Sequence, residues 1–227
     1  MANELFLNRL SEDDRALVES VCVRRTYRKG AVLFLDGDDA GDVLLIQSGQ
    51  IKLTVSSQDG REVLLGVRGA GEIIGEMALI DSSPRSASAF ALTTPTDVLV
   101  ITVRDFKRLV DTEFGFTRGL LDEMVRKVRD STMHQLELGL DDVAGRVARR
   151  LNELSKRFGV HQDDGSMAFK SPITQQELAD WSGVSRQAVV KELARLREMG
   201  WLETKGSFMQ IHNPEGIAQR AARLSGL

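Results

Sequence analysis

The chain has a single cysteine, Cys22, in 227 residues. A lone thiol excludes an intramolecular disulfide framework, a four-thiolate zinc site and a cysteine-held iron–sulfur cluster, and it fits a reducing compartment. Cys22 itself reads as a small buried apolar side chain near a helix end. Histidine is nearly as scarce, with only His134, His161 and His212. No stretch approaches the roughly eighteen uninterrupted apolar residues of a membrane span. MANELFLNRLSEDDR carries acids where a secretion signal has a basic and then an apolar segment. Both absences point to a cytoplasmic protein with no membrane partner. Catalytic signatures are missing too: there is no HExxH, no Walker loop and no converging triad, so neither an enzyme nor a metal site is expected. Internal repeats and low-complexity tracts are also absent.

What is present is the composition of a globular protein, 42% hydrophobic and 28% charged. A length of 227 residues exceeds the commonest single-domain size, so two domains, equal or unequal, are expected. The formal charge of −3 hides an asymmetry. Residues 1–138 hold 17 basic and 22 acidic side chains, net −5, whereas 139–227 hold 13 and 11, net +2. The C-terminal part is therefore the better candidate for a polyanionic partner.

After a helical segment over Ser11–Cys22, the region from Tyr27 to Val103 alternates glycines with the apolar runs AVLFL, VLLIQ, IKLTV, EVLLGV and VLVITV. That pattern predicts a compact antiparallel roll, with a hairpin signal at Asp59-Gly60. From Asp105 the period becomes helical. Leu121, Met124, Val128, Ser131, Gln135 and Leu138 recur every three or four residues, the stripe of a long helix. The stripe serves either its own domain or a second copy of the chain, and its length beyond a small roll favours a homodimer seam. Gly139 and Asp141-Asp142 interrupt it before VAGRVARRLNELSKRF resumes in a new phase, so a boundary is expected at 138–141. HQDDGS, 161–166, reads as a loop. The expected division is a roll over 1–112, a dimerisation helix over 113–138 and a C-terminal domain over 139–227, an α+β protein overall.

The C-terminal domain carries ITQQELADWSGVSRQAVVKELARLREMGWLETKG. Thr174 and Glu177 form a capping-box pattern after Pro172, Gly183 permits a tight turn, Ser185 caps a second helix and Gly200 ends it. Leu178, Ala179, Val184, Val189, Leu193 and Leu196 are the predicted shared core. Arg186, Gln187 and Lys191 are left on the outer face at the start of the second helix, where a major-groove reader needs long polar side chains. WLETKGSFMQI reads as a two-stranded wing turning at Lys205-Gly206 and able to touch phosphate. An αα-hairpin buried in a core is the bland alternative; the exposed basic positions and the wing favour double-stranded DNA as partner.

A second informative stretch is GEIIGEMALIDSSPRSAS, 71–88. Arg85 offers a guanidinium fork, Ser86 a hydroxyl, and the turn after Gly75 free N–H groups, a donor set for an anion removed from water. Glu76 would repel that anion. Its use is to accept from hydroxyls and to offset Arg85 when no ligand is bound. The matching ligand is an anion with an adjacent hydroxyl, which a cyclic nucleotide satisfies. The alternative is a ligandless roll in which Glu76 and Arg85 form an internal ion pair.

The order of glycine-punctuated roll, GE…RS cassette, long helix and winged helix-turn-helix resembles the cyclic-AMP receptor protein / fumarate-nitrate regulator (Crp/Fnr) superfamily of bacterial transcription regulators, over nearly the whole chain. By that resemblance Glu76 holds the ribose 2′-hydroxyl, Arg85 the cyclic phosphate, and Ser86 with the amides of Gly75, Glu76, Met77 and Ala78 completes the phosphate site. The family's base-contacting hydroxyl pair falls on Ser131 and Thr132; the competing use of both hydroxyls is back-bonding within the helix. The resemblance implies a cyclic nucleotide effector, cyclic AMP first and cyclic GMP or a cyclic dinucleotide as alternatives, with no covalent cofactor. It also implies a homodimer, a palindromic operator and RNA polymerase as partners. DNA contacts are expected from Thr174, Gln175, Ser185, Arg186, Gln187, Lys191 and Lys205. Arg186 suits guanine, Gln187 adenine, and Lys191 guanine or phosphate, a set that departs from the best-known member's Arg, Glu and Arg. Haem and iron–sulfur sensing are disfavoured, since no histidine lies in the roll and the chain has a single cysteine. A regulatory subunit of a partner enzyme would share the roll but have no use for Arg186, Gln187 and a basic wing.

Overall fold

The computed structural model describes residues 5–56 and 62–222. In chain order the elements are α1 Phe6–Arg9, α2 Glu12–Val21, β1 Val23–Tyr27, β2 Val32–Phe34, β3 Val43–Ser48, β4 Gln50–Ser56, β5 Glu62–Gly69, β6 Ile73–Ile74, α3 Glu76–Ile80, β7 Ser88–Ala91, β8 Thr96–Ile101, α4 Val103–Thr112 and α5 Phe114–Leu140. Then follow α6 Val143–Phe158, β9 Val160–His161, β10 Met167–Lys170, α7 Gln175–Ser182, α8 Arg186–Glu198, β11 Leu202–Lys205, β12 Phe208–Ile211 and α9 Pro214–Ala221. The chain separates into two compact units, the first ending at Asp130 and the second beginning at Ser131.

The first unit is the expected roll: two four-stranded sheets, ordered β1-β8-β3-β6 and β2-β7-β4-β5, with every pairing antiparallel. Strands β3 and β8 are buried on both faces, and their two-residue period explains how. Val43, Leu45, Leu99 and Ile101 face the helices α1, α2, α4 and α5, together with Phe6, Phe106 and Phe116. Leu44, Ile46, Val98 and Val100 face the other sheet, with Ile51 and Ala89. Phe116 meets Phe6 and Phe106 edge-on at 5.7 and 5.9 Å. The Asp59-Gly60 signal lies outside the described residues; β4 and β5 flank it with Ser56 opposite Glu62.

Several boundaries differ from the sequence reading. The helical region after the roll is two helices, because the backbone turns extended at Glu113 between α4 and α5. Gly139 does not stop α5, which ends at Leu140, and Asp142 then caps α6 through a 2.7 Å bond from Gly145 N–H. The predicted loop at 161–166 begins with a paired residue, as His161 lies opposite Met167 in the sheet. Cys22 caps the end of α2 and is half-buried against the helical core. Burial, with Glu19 and Asp105 nearby, pushes its thiol up to about 11, so it remains protonated and inert at neutral pH.

In the second unit α6 packs with α7, α8 and α9 beside a sheet ordered β11-β12-β10-β9. The capping box at Thr174 is complete, with Glu177 N–H donating to the Thr174 hydroxyl and Thr174 N–H to the Glu177 carboxylate. Leu178, Ala179, Val189, Leu193 and Leu196 are buried as expected, while Val184 is only partly so. Gly183 turns α7 into α8 in a left-handed conformation (φ 62°), and a Cβ there would stand 2.5 Å from a Leu138 methyl carbon.

Candidate ligand site and nucleic-acid interface

Gly75 takes a φ of 82°, which lets the chain leave β6 and open α3 with no side chain capping its first amides. A Cβ at Gly75 would lie 2.5 Å from Arg85 Nη1, so the same glycine admits the guanidinium. Arg85 is 5% exposed. Its Nη1 donates to the Gly75 carbonyl at 2.6 Å and its Nη2 to the Asp42 carbonyl at 2.7 Å. The guanidinium carbon lies 4.4 Å from the Phe34 ring centre. The turn that follows Phe34 clasps the Arg85 backbone: Arg85 N–H donates to Asp38 O at 2.8 Å and Gly37 N–H to Arg85 O at 2.9 Å. Nε is buried with no hydrogen-bond partner, and Arg85 makes no ion pair among the described residues. Burial lowers its pKa, opposed by the charges of Asp42, Glu76 and Asp38; a guanidinium stays cationic regardless. It also lines a cleft of about 230 Å³ with Arg25, Tyr27, Phe34, Asp38 and Asp42, whose lining excludes Glu76 and Ser86.

The ion pair between Glu76 and Arg85 does not form. Glu76, 1% exposed, accepts instead from Lys127 Nζ at 2.6 Å, and Lys127 also donates to Ile73 O at 3.3 Å. The reason is tertiary: α5 lays an amine against the carboxylate, while two backbone carbonyls satisfy the arginine. The second Glu76 oxygen is buried with no hydrogen-bond partner among the described residues. Met77 is half-exposed, Ala78 buried, and the Ser86 hydroxyl is exposed and free of protein partners among the described residues. Gly75, Glu76 and Arg85 are thus brought together. Ser131 and Thr132 are exposed residues of α5 that belong to the second unit.

The α5 stripe needs one correction. Met124 packs on the roll core, whereas Leu121, Val125 and Val128 are exposed at 59%, 45% and 65%. These three follow a spacing of four and three residues, a heptad seam that Val125 completes and that continues at Thr132 rather than Ser131. Arg126 ties the buried face of the same helix to Glu123 and, at 3.8 Å, to Glu72.

In the second unit, Ser185 caps α8 by accepting from Ala188 N–H at 3.2 Å, which exposes the first turn. Arg186, Gln187 and Lys191 are exposed and have no side-chain partner among the described residues. Farther along, Arg195 is held by Glu192 at 2.8 Å and Arg197 by Thr204 at 3.0 Å. Lys205 stands at the tip of the β11–β12 hairpin, where Gly206 turns with a φ of 61°. Gln175 is exposed, while the Thr174 hydroxyl is committed to its cap. In the same unit, Glu137 near the end of α5 pairs with Arg150 and, at 3.0 Å, with Arg149 of α6. Arg150 lies over the Trp181 ring of α7 at 5.1 Å. Sequence reasoning missed Lys127, Phe34, Val125 and this cluster. Only Val125 had a local signal, its heptad position.

A two-sheet roll whose cassette presents a buried guanidinium, on the same chain as a winged helix-turn-helix, defines the class: a transcription regulator with a small-molecule domain. A family model for the cyclic nucleotide-binding domain matches residues 24–113, and one for the Crp-like helix-turn-helix domain matches 145–220. The CRP-like cAMP-activated global transcriptional regulator of Mycobacterium tuberculosis is 33% identical over 197 residues, 86% of each chain. The structure of FixK2 from Bradyrhizobium japonicum shares the fold with a TM-score of 0.77 at 20% identity, covering 88% of this chain and 96% of that one. The c-di-GMP responsive global regulator CLP of Xanthomonas campestris superposes with a TM-score of 0.75 at 25% identity, covering 89% and 99%. The chain belongs to the Crp/Fnr family of transcription regulators. No helix among the described residues is long and apolar enough to cross a membrane.

Proposed function

We propose that this protein is a cytoplasmic, homodimeric regulator that binds a cyclic nucleotide at the 75–86 cassette and a palindromic operator through α8, with RNA polymerase as a further partner. One observation carries the ligand reading: among the described residues Arg85 is a buried cation bonded only to neutral carbonyls, with its Nε unsatisfied. A buried charge with no direct ion pair is costly, and a monoanionic phosphodiester arriving beside the α3 amides and the Ser86 hydroxyl relieves that cost. The unsatisfied oxygen of Glu76 is available to a ribose hydroxyl. Ser131 and Thr132 are assigned to the base on the family resemblance. The cAMP-activated relative supports cyclic AMP, and the c-di-GMP responsive one supports a cyclic dinucleotide as the alternative.

For the dimer, the support is the exposed Leu121–Val125–Val128 seam. For DNA, it is Arg186, Gln187 and Lys191 on one face of α8, unpaired among the described residues, and Lys205 on the wing. A second reading, ligand-independent regulation, draws on Lys127, which already neutralises Glu76. Calorimetric titration with cyclic AMP, cyclic GMP and cyclic di-GMP, followed by gel shift with and without the nucleotide that binds, separates the two. Saturable binding that strengthens the gel shift is expected. No heat with any of the three, together with an unchanged gel shift, selects the ligand-independent reading.

A further inference from the structure

We propose that Val190 is a base-reading residue of α8, and that each operator half-site carries a thymine whose methyl group it contacts. The inference rests on the reading that α8 enters the DNA groove, and goes beyond it by naming an apolar reader and the base it selects.

Helix α8 divides cleanly into faces. Val189, Glu192, Leu193 and Leu196 are buried, while Arg186, Gln187, Val190 and Lys191 are exposed. At about 100° per residue, Val190 falls between Arg186, one turn earlier, and Gln187, three residues earlier. It is 43% exposed. A β-branched residue is a poor helix former, and an uncovered isopropyl group wastes apolar area, so this position is not chosen for the helix.

Its neighbours say what kind of surface covers it. The three polar side chains around Val190 have no protein partner among the described residues, whereas the basic residues of the helix's other half, Arg195 and Arg197, are tied to Glu192 and Thr204. The free donors ask for an acceptor-rich, anionic surface. One isopropyl group amid them is far too small for a protein interface, which needs contiguous apolar area. A surface dense in acceptors yet studded with single methyl groups is the major groove, where only thymine bears a C5-methyl group.

The test uses the full-length protein, with cyclic AMP, cyclic GMP or cyclic di-GMP if calorimetry shows one of them to bind, and alone otherwise. An operator is selected from a random duplex pool, and each thymine of one half-site is then replaced singly by deoxyuridine, which deletes only the methyl group. One position is expected at which the wild type loses affinity about three- to tenfold in gel shift. Val190→Ala is expected to lose a similar factor on the parent operator and nothing further on the deoxyuridine one. Val190→Thr, which keeps a methyl group in place, is expected to retain the wild-type sensitivity, and guards against a folding defect in the alanine variant. A wild type indifferent to every deoxyuridine, or an alanine variant as sensitive as the wild type, overturns the proposal. A wild type that selects no duplex at all overturns the DNA-groove reading and the proposal with it.

Discussion

Arg85 shows how a residue in the cassette depends on residues far from it in sequence. Its guanidinium is held by the Asp42 carbonyl and the Phe34 ring, and its backbone by the Gly37–Asp38 turn. Replacing Arg85 by Leu is therefore expected to abolish the nucleotide's heat of binding while leaving a folded protein, as calorimetry and a melting curve will show. Phe34→Leu is expected to weaken nucleotide binding about three- to tenfold, the span of a partly desolvated cation–π contact, with Phe34→Tyr near wild type. The GE…RS pattern was legible because anion chemistry restricts residue types. Lys127 was not, since a lysine on a helix says nothing about the carboxylate that lies 51 positions earlier and 2.6 Å away.

At the scale of elements, α5 carries two unlike faces and a buried ionic end. The face with Leu121, Val125 and Val128 is the proposed seam, so Val125→Asp with Val128→Asp is expected to yield monomers in sedimentation equilibrium. Where α5 meets α6, burial would raise the Glu137 pKa, but His134, Arg150 and Arg149 hold it below its ordinary value of 4.5. A depressed carboxylate contributes stability that is complete above its unfolded pKa and lost as pH falls through its folded one. The second unit should thus lose stability below pH 4.5, and in Glu137→Gln this acid-dependent share should vanish from urea titrations. The stripe was half legible for a simple reason. Period shows which side chains share a face, but Met124 and Val125 are adjacent, and only packing on the roll core separates the covered one from the free one.

For the whole molecule, the proposed regulation requires that nucleotide and operator each favour the same state. If the nucleotide takes that state from a small minority to a large majority, its preference must sum to about 5 kcal/mol. Gel-shift affinity is then expected to rise by up to about a hundredfold with nucleotide in the wild type and not at all in Arg85→Leu. The roll, the capping box and the winged helix-turn-helix were already written in local patterns: glycine punctuation, a change of period, cap residues at fixed offsets. These depend on neighbours within a few positions, which a linear reading sees whole. Which charges neutralise which could not be read that way. Glu76 took Lys127 rather than Arg85, and Glu137 took two arginines of the next helix. Such choices follow from distances that exist only after distant segments have packed, where burial makes each counter-ion decisive.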